Sequence, residues 1–178
     1  MSDTVATRTR VLTDGSLASF RQIMRGPVLT PADEEYGPAR QIWNAMIDRR
    51  PCVIARCLDV ADVRAAVLFA REHDLVLSIR GGGHNIAGLA RCDGGLTIDC
   101  LLMKEVGVDA RSCTAVAQPG VTWAGETQRV GLATTGGAVS TTGIAGLTLG
   151  GGLGWLMGRC GLCLPESPSA SRIRTPDL

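Results

Sequence analysis

Histidine is almost missing from this chain: of 178 residues, only His73 and His84 carry an imidazole. A hydrolytic triad therefore has few places to be built, and Ser140 lacks the glycines two before and two after it that a nucleophile elbow requires. An excess of charge is missing too. The 18 basic residues stand against 17 acidic ones, a net of +1, so no long-range field points to nucleic acid or an anionic membrane as partner. No Gly-Lys-Ser or Gly-Lys-Thr occurs, which excludes a P-loop. Neither glycine cluster fits GxGxxG, because the sixth position from Gly81 is Ile86 and from Gly150 is Trp155. Met1 to Arg10 contain no apolar run resembling a secretory signal, and the cysteines number seven, an odd count; both predict reduced thiols in the cytoplasm. Cys52, Cys57, Cys100 and Cys113 sit in apolar strand contexts and read as small hydrophobes. Cys160-Gly161-Leu162-Cys163 is a single CxxC with no second pair and no histidine nearby, so the reading assigns no metal.

Charge is also absent from Gly131 to Gly158, a stretch long enough to raise a membrane span, with Gly146, Gly150, Gly154 and Gly158 at GxxxG spacing. Composition decides against it. Ten of those 28 positions are glycine and six are Ser or Thr, and each glycine costs a helix about 1 kcal/mol relative to alanine. No membrane partner is expected. Glycine reaches 23 of 178 residues, about 13%, against an average near 7%. It is gathered in two clusters without a period, which argues for binding loops.

The first cluster is the more informative. Leu75-Val76-Leu77-Ser78-Ile79 reads as a strand that runs into Arg80-Gly81-Gly82-Gly83-His84-Asn85. Three successive residues without Cβ let backbone N–H groups converge on an anion, with the histidine held beside it. The second cluster, Gly143 to Trp155, carries Gly146, Gly150, Gly151, Gly152 and Gly154. Together they suggest a phosphate-bearing cofactor gripped by main chain.

Around these loops the pattern predicts an α+β fold with one core. At this length roughly 70% of the unfolded chain's surface is buried. Ser16 to Arg25 has apolar residues at helical spacing and stops at Gly26-Pro27, and a second short helix is expected over Pro38 to Ile47. Pro51 to Ala55 reads as a strand. Asp59 then caps a helix from Val60 to Arg71 with Val63, Val67 and Ala70 on one face, and Leu75 to Ile79 follows as a strand, which makes a βαβ unit. Gly95 to Asp99 and Thr114 to Gln118 are further strands, with Val106-Gly107-Val108 between them as another, so the sheet is mixed with helices inserted. Val121 to Val130 has helical spacing and Gly131 supplies a stop. His73, in the polar Arg71 to Asp74 turn, reads as a solvated surface residue. The Pro- and Ser-rich stretch from Leu164 to Leu178 has no periodicity and reads as a disordered tail.

Three segments carry a family resemblance: Arg80 to Gly88, Ala117-Gln118-Pro119-Gly120, and Gly136 to Leu156. They closely resemble the FAD-binding domain of the vanillyl-alcohol oxidase and p-cresol methylhydroxylase (PCMH-type) superfamily, in its berberine-bridge-enzyme-like branch. The likeness implies a lead-in over residues 1–34, a PCMH-type FAD-binding domain over 35–162 that is incomplete at its C-terminus, and a non-family tail over 163–178. It implies FAD as cofactor. Gly81, Gly82 and Gly83, flanked by Arg80, Asn85 and Gly88, would hold the pyrophosphate. Gln118, Pro119 and Gly120, with Thr142, Gly143, Gly146, Gly150, Gly151 and Gly152, match stretches that wrap the pyrophosphate and ring system. For Gly150 to Gly152 a packing turn is the competing reading. His84 matches the histidine bonded in many relatives to the flavin's 8α carbon. Val139 stands where some relatives carry a second, cysteine link, so a single bond is expected. The implied function is a flavin-dependent oxidoreductase, an oxidase passing electrons from a small-molecule substrate to molecular oxygen. The substrate domain and catalytic base are absent from this stretch, and no catalytic residue is named. The alternative is an inactive truncated fragment that binds FAD weakly or does not fold independently.

Overall fold

The computed structural model describes residues 12–109, 111–112, 114–123 and 135–163. Chain order is α1 (Asp14–Ile23), β1 (Val28–Leu29), α2 (Tyr36–Arg40), β2 (Val53–Arg56), α3 (Val60–Glu72), β3 (Leu77–Arg80), β4 (Leu96–Asp99), β5 (Val106–Asp109), β6 (Thr114–Ala117), α4 (Ile144–Leu149) and α5 (Met157–Cys160). This is the expected α+β class. One sheet has the order β1-β2-β4-β3, and β5 and β6 form a separate antiparallel pair. Strands β2 and β3 both run parallel to β4, which lies between them, while β1 is antiparallel to β2, so the main sheet is mixed. The βαβ unit is present with β4 inserted at its centre.

Val53, Ile54 and Ala55 in β2 and Leu96 to Asp99 in β4 are buried on both faces. Layers on each side make this possible. Helices α1 and α3 cover one face, where Phe20 stacks on Phe69 at 4.2 Å between ring centroids, over Val53, Ala55, Leu96 and Ile98. On the other face Tyr36 and Leu29 pack on Ile54, and the Tyr36 hydroxyl donates to the Pro51 carbonyl at 2.7 Å. Strand β3 is the sheet's edge, and Ile79 on it is exposed.

The caps form as composition dictates. Thr13 Oγ1 accepts from the Ser16 amide (3.3 Å), and Asp59 Oδ1 accepts from the Asp62 amide (3.0 Å). The inward face of α3 is rotated from expectation: Asp62, Ala66, Phe69 and Ala70 are buried, Val63 is partly so and Val67 is exposed. The reason is Asp62. Its carboxylate turns inward to accept from three backbone amides, Arg25 (2.8 Å), Gly26 (3.1 Å) and Leu58 (2.9 Å), and so fixes the helix's rotation. His73 is half-buried rather than solvated, because its ring stacks on Phe69 at 4.2 Å and its Nδ1 lies 2.9 Å from the Phe69 carbonyl.

The second helix is shorter than its pattern, Tyr36–Arg40 instead of a run to Ile47. In a continued helix the Trp43 amide would donate to the Ala39 carbonyl. That carbonyl is taken instead by two guanidinium groups, Arg80 Nη1 (2.8 Å) and Arg91 Nη2 (2.5 Å), and the Trp43 amide donates to the Gly83 carbonyl (3.2 Å). The helix expected from Val121 does not start there. Thr122 bridges antiparallel to Gly143, and the Trp123 amide donates to the Thr142 carbonyl at 3.2 Å. Its remainder, 124–130, lies outside the described residues, as do residues 1–11, Cys113 and the tail from 164. No helix among the described residues is long and apolar enough to cross a membrane.

Two expectations follow. Asp62→Ala leaves three backbone amides, that of Gly26 buried and those of Arg25 and Leu58 partly so, without their acceptor and should cost about 3 kcal/mol; a urea-unfolding loss under about 1 kcal/mol would contradict the role given to that carboxylate. Burial pushes the Cys57 thiol from 9.0 up to about 12 and the Cys100 thiol up to about 11. The folded chain therefore keeps protons that the unfolded chain has released, so stability is full below about pH 9 and falls as pH climbs toward 12. Cys57→Val should flatten that fall in urea midpoints, and an unchanged alkaline slope would remove the thiol as its cause.

Candidate functional site

Strand β3 delivers Gly81-Gly82-Gly83-His84 to the carboxyl end of the parallel strands, the side on which open α/β sheets bind ligands. Two other segments arrive at the same place. A Cβ added to Gly81 would stand 2.8 Å from the Pro119 carbonyl oxygen, in the turn after β6. One added to Gly82 would stand 2.7 Å from Gly143 Cα, and one added to Gly143 would meet the Gly82 amide nitrogen at 2.5 Å. The turns at 81–83, 118–120 and 142–143 therefore touch main chain to main chain. The bridge between Thr122 and Gly143 and the Ile144 amide's bond to the Val121 carbonyl (2.9 Å) lock the third turn in position. Gly83 has φ +75, open only to glycine at low cost. Gly82 does not, so close approach alone requires it.

His84 sits at the junction. Its Nε2 lies 3.1 Å from Thr141 Oγ1, and its ring stacks on Trp43 at 5.3 Å with 20° between planes. Neither partner was legible in the sequence. Trp43 falls in a stretch whose spacing reads as helix, and Thr141 lies 57 residues from His84. Asn44 Nδ2 donates to the Ile86 carbonyl (2.9 Å) and so carries the Trp43 segment alongside the turn.

The remaining candidates divide. Arg80 is anchored beneath the turn, with Nη1 donating to Asp99 Oδ2 at 3.3 Å as well as to Ala39. Asp99 also accepts from Arg91 Nη2 (3.1 Å), and both of these side chains are only 1% exposed. Burial lowers the Arg91 guanidinium to about 10, against the opposing pull of Asp99. Asn85 serves its own loop: its carbonyl accepts from the Gly88 amide (3.0 Å) and its Oδ1 from Leu89 (3.2 Å), with Gly88 at φ +71 against Ile47. Gln118 spends its side chain on Glu105, accepting from its amide (2.9 Å) and donating to Oε2 (3.2 Å). Gly146 borders open space, and Gly150 receives the end of α4, its amide donating to the Gly146 carbonyl at 3.0 Å. Gly151 and Gly152 have φ +116 and +71, and Gly152 packs on Cys163, whose amide donates to its carbonyl (3.0 Å). Gly152 thus packs on the Cys163 segment, while Gly151 borders open space.

Next to the first turn is a cavity of about 380 Å³, bounded by Glu35, Ala39, Arg56, Arg80, Asp99 and Leu101. Arg56 Nε and Arg80 Nε are buried there without a protein partner. Main-chain turns stripped of side chains, with two guanidinium groups at the strand ends, suit the phosphates of a dinucleotide. Among the described residues no cluster of His, Cys, Asp or Glu could hold a metal ion.

Comparison with known proteins agrees with this geometry. Residues 51–164 match the family described as FAD binding domain. The chain is 36% identical over 142 residues to (R)-6-hydroxynicotine oxidase of Paenarthrobacter nicotinovorans, covering 78% of this chain and 31% of that protein. The crystal structure of 6-hydroxy-D-nicotine oxidase from Arthrobacter nicotinovorans superposes with a TM-score of 0.76 at 36% identity, covering 78% and 31% of the two chains. BBE-like 1 of Physcomitrella patens gives a TM-score of 0.75 at 28% identity, over 82% of this chain and 33% of that one. The chain thus spans about a third of the length of the relatives it matches. The buried, unpartnered Nε atoms of Arg56 and Arg80, beside turns that carry no side chains, are compatible with the anionic diphosphate of FAD.

Gly82→Val should part those turns and weaken FAD affinity by roughly 5- to 150-fold, the scale of about 1 to 3 kcal/mol of backbone strain. Equal flavin content after gel filtration of variant and wild type would overturn the assignment.

Proposed function

We propose, from the premise that this chain belongs to the FAD-binding domain family of FAD-linked oxidoreductases, that it supplies the FAD-holding part of an oxidase, with the flavin tethered at His84 and molecular oxygen as final acceptor. The observation that supports this best is the main-chain contact between Gly82 and Gly143, 61 residues apart in sequence, beside a histidine whose ring is fixed on one face and at one nitrogen. Arg80 to Gly83, Pro119-Gly120 and Thr142-Gly143 are the residues proposed to hold the diphosphate. Gln118, Asn85 and Gly88 would shape the cradle through their own turns. When bound, FAD supplies a two-electron acceptor, which no side chain can provide.

At the tether, His84 would present an imidazole nitrogen to the flavin's electrophilic 8α carbon. Joining them would release one proton from the methyl group and one from the ring N–H, and the two electrons would pass to molecular oxygen to give hydrogen peroxide. The substrate is proposed to be a small molecule, bound by portions of the relatives that extend beyond the third matched here. The unpaired state of Cys52, Cys57, Cys92, Cys100 and Cys163 supports a reducing, cytoplasmic setting.

The test is acid precipitation of the chain expressed with FAD. Wild type should give a yellow pellet, and His84→Ala a colourless pellet with flavin in the supernatant. Flavin in the wild-type supernatant alone rejects the tether. Flavin in neither fraction rejects the cradle and favours a non-binding fragment.

A further inference from the structure

Building on the proposed tether, we infer that Thr141 is a positioning residue: its hydroxyl holds His84 as the tautomer protonated at Nε2 and leaves Nδ1 as the nitrogen that bonds to the flavin. A neutral imidazole has one N–H donor and one bare acceptor nitrogen, and a hydroxyl can partner either, so the assignment falls to whichever nitrogen must stay bare to react. In His84 the two nitrogens are not equivalent. Nε2 lies 3.1 Å from Thr141 Oγ1, so that position is covered, whereas no protein group within hydrogen-bond reach of Nδ1 competes for its lone pair among the described residues. A nitrogen that attacks carbon must be bare, which puts the proton on Nε2 and makes Thr141 Oγ1 the acceptor.

The same contact has a second effect. Were Nδ1 to bond to the flavin, the ring would gain positive charge, and the Nε2 proton would be relayed through the exposed Thr141 hydroxyl to solvent. Trp43 assists from the face: an indole 5.3 Å away and 20° from parallel lies within the range at which a π-surface favours a cationic ring. The Trp43 amide, bonded to the Gly83 carbonyl at 3.2 Å, keeps the indole from drifting off. Ring plane and ring rotation are thus set by separate residues, Trp43 for the first and Thr141 for the second.

The experiment uses the full chain with ¹⁵N-labelled histidine, compared as wild type, Thr141→Val and Thr141→Ser. In the FAD-free chain in alkaline buffer, the ring signal lost in His84→Ala should report a proton on Nε2 in wild type and Thr141→Ser, and a mixture in Thr141→Val. On adding FAD, acid-stable flavin should accumulate roughly tenfold more slowly in Thr141→Val, the scale of one lost hydrogen bond to a charged group, and near the wild-type rate in Thr141→Ser. A wild-type proton on Nδ1, equal rates in all three chains, or a flavinylated peptide bonded through Nε2 each overturns the inference while leaving the tether standing. A wild-type chain that binds FAD but never forms acid-stable flavin overturns the tether, and the role of Nδ1 falls with it.

Discussion

Two stretches of peptide backbone, one at Gly82 and one at Gly143, lie so close that neither tolerates a Cβ. This contact is a constraint before it is a binding feature. It sets where β3 must end, where α4 must begin, and how the Thr122 bridge to Gly143 is placed. His84 and Thr141 are each within two residues of it, so their side chains meet as a by-product of the backbone approach. Turns assembled this way hold their amide dipoles in directions fixed by the fold rather than by rotamers.

Beneath the turn, charge takes over from main chain. Asp99 binds both Arg80 and Arg91, and both arginines reach the Ala39 carbonyl. A buried ion pair of this kind gives little net stability, because desolvation offsets the attraction, but it is geometrically exacting. Here the geometry has a consequence one layer up. By occupying the Ala39 carbonyl the arginines end α2 early, the Trp43 amide turns to Gly83, and the indole comes to rest on His84. The neutral packing of Ile54 under Tyr36 could not have redirected the chain in this way.

What the sequence made legible was local. Asp59 capping α3, the strands at 53–56, 77–80, 96–99 and 114–117, and the glycine turn after β3 each follow from short patterns that tertiary contacts did not override. What it hid was decided at a distance. The stretch after Arg40 has helical spacing and loses its helix to guanidinium groups from residues 80 and 91; Val121 to Trp123 have helical spacing and pair instead with 142–144. The inward rotation of α3 rests on Asp62, a charged residue that apolar periodicity places outside. Within the site, the glycines were readable as a cluster, yet which needs a positive φ (Gly83) and which needs nearness (Gly82) depends on a partner segment no local window contains.

Strand order has its own implication for how the molecule comes together. β3 pairs only with β4, and β4 is the last of the four to leave the ribosome. Until residues 96–99 slot into the middle, β3 has no ladder, and the loop it carries has no floor. Loop-closure entropy must then be met before the central pairing rewards it. The glycine turn is thus among the final parts of this sheet to be furnished, after β2 and β3 already wait on either side of a gap.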